Sequence, residues 1–307
     1  MSVVAERALV FDCFGDACLG VLHESSCQAS TVGVLVVVGG PQYRVGSHRQ
    51  FVLLARHLAS KGFPVMRFDY RGMGDSGGEP RDFRQVEPDI RAAVDAFMHH
   101  VPQLRSVVIF GLCDAASAAL MYCGADSRLA GLILANPWVR TEVGLATVHV
   151  KHYYAQRFLQ GSFWRKIASG RLDVLSSLHQ LLRALGVAAR GRNRPRSVGP
   201  AEPGPTAYVT AMEHGLRTFG KPVLFLISGR DLTAREFTDL CGSSEAWASL
   251  LRRPGIKVET LREADHTFSS RTACERANGL CAHWLSATVL ADSSRGAEAA
   301  ARGRTGR

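Results

Sequence analysis

The sequence contains no apolar run long enough to cross a membrane. Near its start the longest such run is Val34 to Val38, against the ~20 residues that a spanning helix needs. Residues Met1 to Asp12 also lack the basic and then apolar pattern of a secretory signal, so we expect a cytoplasmic location. Of the 307 residues, 46% are hydrophobic and 21% are charged, a globular balance that excludes a low-complexity chain.

Acidic residues are scarce in two stretches that carry most of the net charge of +10. Residues 183–196 contain five arginines and no acidic residue, and residues 295–307 contain four arginines and one glutamate. Both stretches are rich in Gly, Ala or Pro, a composition typical of mobile linkers and tails. The rest of the chain is nearly neutral, and no aromatic-interleaved motif accompanies the charge, so we expect no nucleic-acid partner.

None of the eight cysteines forms a Cys-x-x-Cys pair, and no pair of histidines stands nearby at zinc-finger spacing. A chain of this length can build a core without disulfides. Most of the cysteines are therefore predicted to be small buried residues, and no metal or organic cofactor is implied. Cys113 is the exception.

Strand-like and helix-like segments alternate through most of the chain. Repeated β-α-β units with buried strands predict a mostly parallel sheet with helices on both faces. This rhythm breaks after Asn136-Pro137, where a helical pattern and then a Pro/Arg/Gly-rich stretch follow. We therefore predict an α/β core formed by residues 1–137 and 208–290, a helical cap insertion with a linker at 138–207, and a disordered tail at 291–307. The predicted strands are Ala8 to Phe14, Leu19 to His23, Val32 to Val38, Pro64 to Phe68, Ser106 to Phe110, Leu129 to Ala135, Val223 to Ile227 and Ile256 to Leu261.

The most informative motif joins the strand that begins at Ser106 to a helix of small residues that begins at Asp114. The connection reads Gly-x-Cys-x-Ala over Gly111 to Ala115, the arrangement of a nucleophile elbow, in which the reactive residue occupies a strained turn between strand and helix. Side chains larger than those of Gly111 and Ala115, which stand two positions before and after Cys113, would collide in such a turn. The start of the helix favours a charged thiolate and offers backbone N–H groups to an oxyanion.

Polar motifs follow other strands in an order that fits this elbow. Asp69-Tyr70-Arg71-Gly72-Met73-Gly74-Asp75-Ser76 follows one strand, Ser228-Gly229-Arg230-Asp231 closes another, and Ala264-Asp265-His266 closes the last. With the nucleophile, the acid and the histidine in that order, the chain resembles the α/β-hydrolase superfamily from about Ala8 to Leu285. The resemblance implies that Cys113 is the nucleophile, His266 the base and then the acid, and Asp231 the carboxylate that orients it.

Three segments resemble one family more narrowly. Residues 39–49 (Gly-Gly-Pro-Gln-Tyr-Arg-Val-Gly-Ser-His-Arg), 111–115 (Gly-Leu-Cys-Asp-Ala) and 228–237 (Ser-Gly-Arg-Asp-Leu-Thr-Ala-Arg-Glu-Phe) are similar to the exosortase A system-associated hydrolase 1 family. Members of that family are encoded beside exosortase and exopolysaccharide genes in Gram-negative bacteria. The resemblance implies a functional link with that machinery and supplies no substrate.

The chain departs from the common superfamily pattern at two points. The nucleophile is Cys where Ser is usual, and Gly39-Gly40-Pro41 stands where His-Gly is usual. Pro41 has no N–H to donate. The predicted oxyanion donors are therefore the backbone N–H groups of Asp114 and of Gln42 or a neighbour.

These residues predict acyl transfer to water from a small-molecule ester or thioester. Because a thioester intermediate also transfers its acyl group to alcohols or amines, an acyltransferase that modifies a polysaccharide precursor is the alternative enzyme. A non-catalytic α/β-hydrolase-like protein that binds a ligand or partner is the alternative of another class, because one fold hosts many functions.

Overall fold

The computed structural model describes residues 4–25, 29–40, 42–139 and 207–289. Its contacts divide the chain into two units, one formed by Met1–Trp138 with Val209–Arg307 and the other by Val139–Tyr208. The predicted cap insertion and linker at 138–207 lie outside the described residues except at their ends, and so does the predicted tail at 291–307. The predicted domain boundaries stay a prediction.

Across the described residues, eight strands form one sheet in the order β1-β2-β4-β3-β5-β6-β7-β8. Strands β3 to β8 run parallel to one another, and β2 is antiparallel to both of its neighbours. The ends of six parallel strands therefore meet at one edge of the sheet. The strands are β1 Val4–Cys13, β2 Asp16–Ser25, β3 Val32–Val37, β4 Val65–Phe68, β5 Ser106–Leu112, β6 Leu129–Ala135, β7 Val223–Ser228 and β8 Ile256–Leu261.

Helices occupy the connections between the parallel strands. Every residue of β3, β4 and β7 is buried, as expected of strands covered on both faces. The helices are α1 Gln50–Ser60, α2 Glu87–His100, α3 Asp114–Tyr122, α4 Ala207–Thr218, α5 Leu232–Ser243, α6 Glu245–Leu251 and α7 Arg271–Trp284. None of the helices in the described ranges is long and apolar enough to cross a membrane.

Three sequence-based boundaries are wrong. The first hairpin is longer than predicted, because polar residues in the first half of β1 pair with β2 and stay exposed. The apolar spacing over residues 47–60 predicts one helix, but the segment begins as a 3₁₀ turn, Ser47–Arg49, since the backbone of Arg49 is left-handed with φ 60°. The sequence between β7 and β8 predicts one helix, but two helices form, because Ser244 is extended and caps α6 by accepting from Trp247 N–H.

Candidate active site

The chain turns sharply at Cys113, between β5 and α3. Cys113 has φ 63° and ψ −125°, a backbone conformation that is strained for any residue other than glycine. The turn is held by backbone bonds, since Cys113 N–H donates to Ala135 O over 2.9 Å and Trp138 N–H donates to Cys113 O over 3.2 Å. The predicted elbow geometry is therefore present, with the thiol partly exposed.

The glycine at the start of the elbow is required by close packing. A Cβ atom at Gly111 would lie 2.6 Å from the carbonyl oxygen of Ala115, well inside contact distance. The helix therefore folds back directly onto the end of β5. This approach explains the small residues in the motif in physical terms.

The loops after β7 and β8 bring Asp231 and His266 together. Asp231 Oδ2 lies 2.8 Å from His266 Nδ1, and the Asp231 side chain is only 8% exposed against 31% for His266. Gly229 allows this approach, because a Cβ atom there would collide with the backbone of Arg262. Arg230 N–H also donates to Ala264 O over 2.9 Å, so the two loops are joined by backbone as well as by side chains.

Asp231 has a second role as the N-cap of α5. Its carboxylate accepts from Thr233 N–H over 3.2 Å and from Ala234 N–H over 3.0 Å, which satisfies amides that have no partner within the helix. The two candidate carboxylates further along α5, Glu236 and Asp239, lie in the body of the helix. The capping bonds hold the Asp231 carboxylate rigidly where it meets His266.

His266 connects Asp231 to Cys113. Hydrogen bonds to Asp231 first and to Cys113 second raise the pKa of His266 to about 10, despite the opposing effect of burial. At neutral pH the imidazole is therefore protonated.

The loop after β3 lies against the elbow, and Gln42 and Asp114, whose N–H groups are the predicted oxyanion donors, belong to these two segments. Gly40 N–H donates to Asp114 Oδ2 over 2.8 Å and so is occupied. Pro41 has no N–H, which leaves Gln42 as the next donor along this loop. Asp114 is the first residue of α3, so its own N–H has no carbonyl one turn earlier in the helix to bind.

The Asp114 carboxyl group is unusual for its burial beside the nucleophile. Burial raises its pKa, although the bond from Gly40 N–H opposes the shift. Its second oxygen, Oδ1, is buried and has no hydrogen-bond partner. Nothing in the sequence motif distinguished this side chain, because the motif marks the position only for its backbone N–H.

The loop after β4 supports the loop after β3. Asp69 Oδ1 accepts from Arg44 N–H over 2.6 Å, and the two side chains form a partly buried ion pair. Arg71 donates to both carboxylate oxygens of Asp89 over 2.9 Å. An open cavity of about 610 Å³ lies between these two loops, with Gln42 in its wall.

Asn136 is a residue near the site whose contacts the sequence did not predict. It follows β6, is completely buried and donates from Nδ2 to the carbonyl oxygen of His266 over 3.0 Å. No cluster of three or more metal-ligating side chains occurs among residues 4–25, 29–40, 42–139 and 207–289.

A family model described as Hydrolase_4, serine aminopeptidase S33, matches residues 30–185 of the chain. The chain is 28% identical over 113 residues to protein PA2218 of Pseudomonas aeruginosa, a match that covers 35% of this chain and 30% of that protein. It is 43% identical over 60 residues to the lysophosphatidylserine lipase ABHD12 of Danio rerio, over 20% of this chain and 15% of the lipase. The matches therefore span less than a third of the length of either relative.

Among solved structures, the esterase Pf2001 of Pyrococcus furiosus superposes with a TM-score of 0.61 at 14% sequence identity, over 93% of this chain and 92% of the esterase. At such low identity the likeness concerns the fold alone. Together with the match to the family model, it confirms the predicted α/β-hydrolase fold, with a mostly parallel sheet flanked by helices.

Proposed function

The chain belongs to the Hydrolase_4 family, serine aminopeptidase S33, and from that premise we propose that it is a cysteine hydrolase that cleaves ester or thioester bonds. Cys113 is the nucleophile, His266 the proton carrier and Asp231 the carboxylate that orients the imidazole. One observation carries the proposal: Cys113 stands at a strained strand-to-helix turn, and in the loops of the neighbouring strand ends Asp231 Oδ2 lies 2.8 Å from His266 Nδ1. The family name refers to serine, so Cys113 marks this chain as a variant.

The first half of the reaction forms an acyl-enzyme. The Cys113 thiolate attacks the carbonyl carbon, and the electron pair of the C=O bond moves to oxygen. The N–H groups of Asp114 and Gln42 donate to this oxyanion. When the tetrahedral intermediate collapses, His266 gives its proton to the departing alcohol or thiol, which leaves an acyl thioester on Cys113 and a neutral imidazole.

The second half of the reaction consumes one water molecule. Neutral His266 takes a proton from the water as its oxygen attacks the thioester carbonyl, and the same N–H groups stabilise the second oxyanion. Collapse releases the carboxylic acid and restores the thiolate and the imidazolium. Asp231 stays ionised throughout and stabilises the imidazolium in both halves.

The substrate class follows from the chemistry of the nucleophile and from the relatives. Thiolates attack activated acyl groups readily, and two of the similar proteins reported above are called an esterase and a lysophosphatidylserine lipase. A small-molecule ester or thioester is therefore the proposed substrate. The link to exosortase and exopolysaccharide machinery rests on the three similar segments and is part of the proposal, as is the cytoplasmic location.

The decisive experiment combines turnover with capture of the acyl-enzyme. The full chain is mixed with p-nitrophenyl acetate and with an acetyl thioester, quenched in acid, digested and examined by mass spectrometry. We expect steady hydrolysis and one acetyl group on the peptide that contains Cys113. Acetyl transfer to added alcohols or amines in preference to water would favour the acyltransferase instead.

Three variants complete the test. Cys113→Ala and His266→Ala should lose turnover, whereas Cys274→Ala, which removes another partly exposed thiol, should keep it. Hydrolysis undiminished in Cys113→Ala would overturn the proposal. If no compound in a broad screen of acyl esters and thioesters acylates Cys113, the chain is a binding protein with a hydrolase fold.

A further inference from the structure

Asn136 occupies a left-handed turn directly after β6, with φ 46° and no exposed surface. Asparagine tolerates this backbone conformation better than most residues. The turn aims the side chain at the neighbouring strand end and at the loop that carries His266. Asn136 therefore lies behind the site, out of contact with solvent.

Each hydrogen-bonding position of the Asn136 amide has a partner. Oδ1 accepts from Ser228 N–H over 2.8 Å. Nδ2 donates to Ser228 Oγ over 2.9 Å and to the carbonyl oxygen of His266 over 3.0 Å. An amide supplies one acceptor and two donors, so no other side chain of this size fits all three bonds.

The same short segment also holds the nucleophile. Ala135 O accepts from Cys113 N–H, and Trp138 N–H donates to Cys113 O. Residues 135–138 are thus bonded to the backbone of the nucleophile at both ends and, through the side chain of Asn136, to the backbone of His266. Asp231 orients the imidazole ring, but only Asn136 among the described residues binds the carbonyl of His266 with its side chain.

We propose that Asn136 is a positioning residue that sets the separation between His266 and Cys113. The inference rests on the proposed function, because it assigns Asn136 a role in that site. Without the bond from Nδ2, the carbonyl of His266 loses the partner that Asn136 supplies, and the loop can shift. A shift of about 1 Å in a reacting group can cost 10²-fold in rate.

Two substitutions separate this role from a structural one. Asn136→Gly removes the amide and suits the left-handed backbone. Ser228→Ala is the matched control, since it removes one bond of the same buried network and leaves the bond to His266. We expect Asn136→Gly to lower kcat by about 30-fold or more with KM within about threefold, and Ser228→Ala to change kcat by less than about threefold.

A second measurement does not depend on ester turnover. The rate of alkylation of Cys113 by iodoacetamide, followed against pH, reports how closely His266 and Cys113 are coupled. Asn136→Gly should shift the midpoint of this profile, and Ser228→Ala should leave it in place. If the wild type proves to hydrolyse no ester, the proposed function fails, while the alkylation profile still decides whether Asn136 positions His266.

The proposal is overturned if folded Asn136→Gly retains the wild-type alkylation profile and loses no more kcat than Ser228→Ala. Should Asn136→Gly fail to fold, Asn136→Asp keeps the shape and replaces the donating NH₂ group by an oxygen that repels the carbonyl of His266, so the same two outcomes apply. If neither variant folds, the wild type is examined by NMR before and after alkylation of Cys113. The side-chain amide signal of Asn136 should move, and an unchanged signal would refute the coupling.

Discussion

The substitution Asp231→Asn isolates the charge of the proposed triad acid from its structural work. Asn is about as good an N-cap as Asp, so one side-chain oxygen can still accept from the amide of Thr233 or Ala234 at the start of α5. The NH₂ group then faces His266 Nδ1, where the carboxylate oxygen now lies at 2.8 Å. That exchange reverses the donor and acceptor at Nδ1 and forces the proton of a neutral imidazole onto Nε2.

The magnitude follows from the roles of His266. In the wrong tautomer, His266 cannot take the proton of the hydrolytic water, and the imidazolium has lost its nearest anion. In a related triad this change lowers turnover by about 10⁴. Because a thiolate needs less help to form than an alkoxide, we expect a loss of roughly 10²–10⁴ in kcat here.

The assay is steady-state hydrolysis of p-nitrophenyl acetate with three control variants. Asp265→Asn changes a neighbouring carboxylate that binds Ser269 N–H over 2.8 Å, and Glu236→Gln and Asp239→Asn change carboxylates in the body of α5. These three should stay within about tenfold of the wild type. If Asp231→Asn is nearly neutral and one control is crippled, the acid has been misassigned. If all are neutral, Cys113 and His266 work as a pair.

The same variant has a signature in stability. The pKa of His266 is about 10 in the folded chain against ~6.5 for an unperturbed histidine. A histidine whose pKa is raised in the folded state stabilises the fold fully at pH values below its pKa in the unfolded chain. This contribution is lost as the pH rises through the folded pKa of about 10. Asp231→Asn should therefore lower the melting temperature more at pH 6 than at pH 10.5, and an equal loss at both would contradict the ion pair.

Three further predictions concern thiols and a buried histidine. Burial is the main cause that raises the pKa of six cysteines: Cys13, Cys18, Cys123, Cys241, Cys274 and Cys281. Cys113 should react with iodoacetamide at pH 7 faster than these six. Peptide mapping that places Cys113 among the slowest would refute its assignment. Cys113→Ser should lower kcat at pH 7 by about 10² or more and regain activity at alkaline pH, because protonated His266 cannot accept the serine proton; wild-type turnover at pH 7 would contradict this. Burial and then Arg67 lower the pKa of His23 to about 4. The stability that neutral His23 contributes is therefore fully present above pH ~6.5 and is lost as the pH falls towards 4. His23→Gln should flatten the fall in melting temperature between pH 6.5 and about 4.5, and parallel melting-temperature curves for the variant and the wild type would exclude His23 as the cause of that fall.

The elbow and the loop residues could be predicted because their signals are local. Apolar runs locate the parallel strands, and polar residues at strand ends must meet at one edge of the sheet. Cys113 stands directly after β5, and Asp231 and His266 stand three and five residues after the ends of β7 and β8. The fold then brings together the strand ends, and the predicted proximity needs no knowledge of side-chain packing.

Other features depend on contacts between distant parts of the chain. Asn136 marks only the end of a strand in the sequence, yet its partners are 92 and 130 residues away. The Nε2 atom of His23 accepts from Arg67 across 44 residues, and neither residue belongs to a motif. Such pairs follow from strand order and register, which composition and periodicity do not specify.

The residue at the elbow and the charge of His266 depend on each other. The pKa of His266 is raised by the bond to Asp231 first and by Cys113 second, so part of the shift comes from the sulfur itself. In a serine triad the same Asp–His pair works with a neutral imidazole that takes the hydroxyl proton. In the proposed cysteine site a protonated imidazole instead serves as the acid that the leaving group requires. The proposed mechanism therefore makes His266 the acid in the first half of the reaction, and the pH dependence of Cys113→Ser tests that order of events.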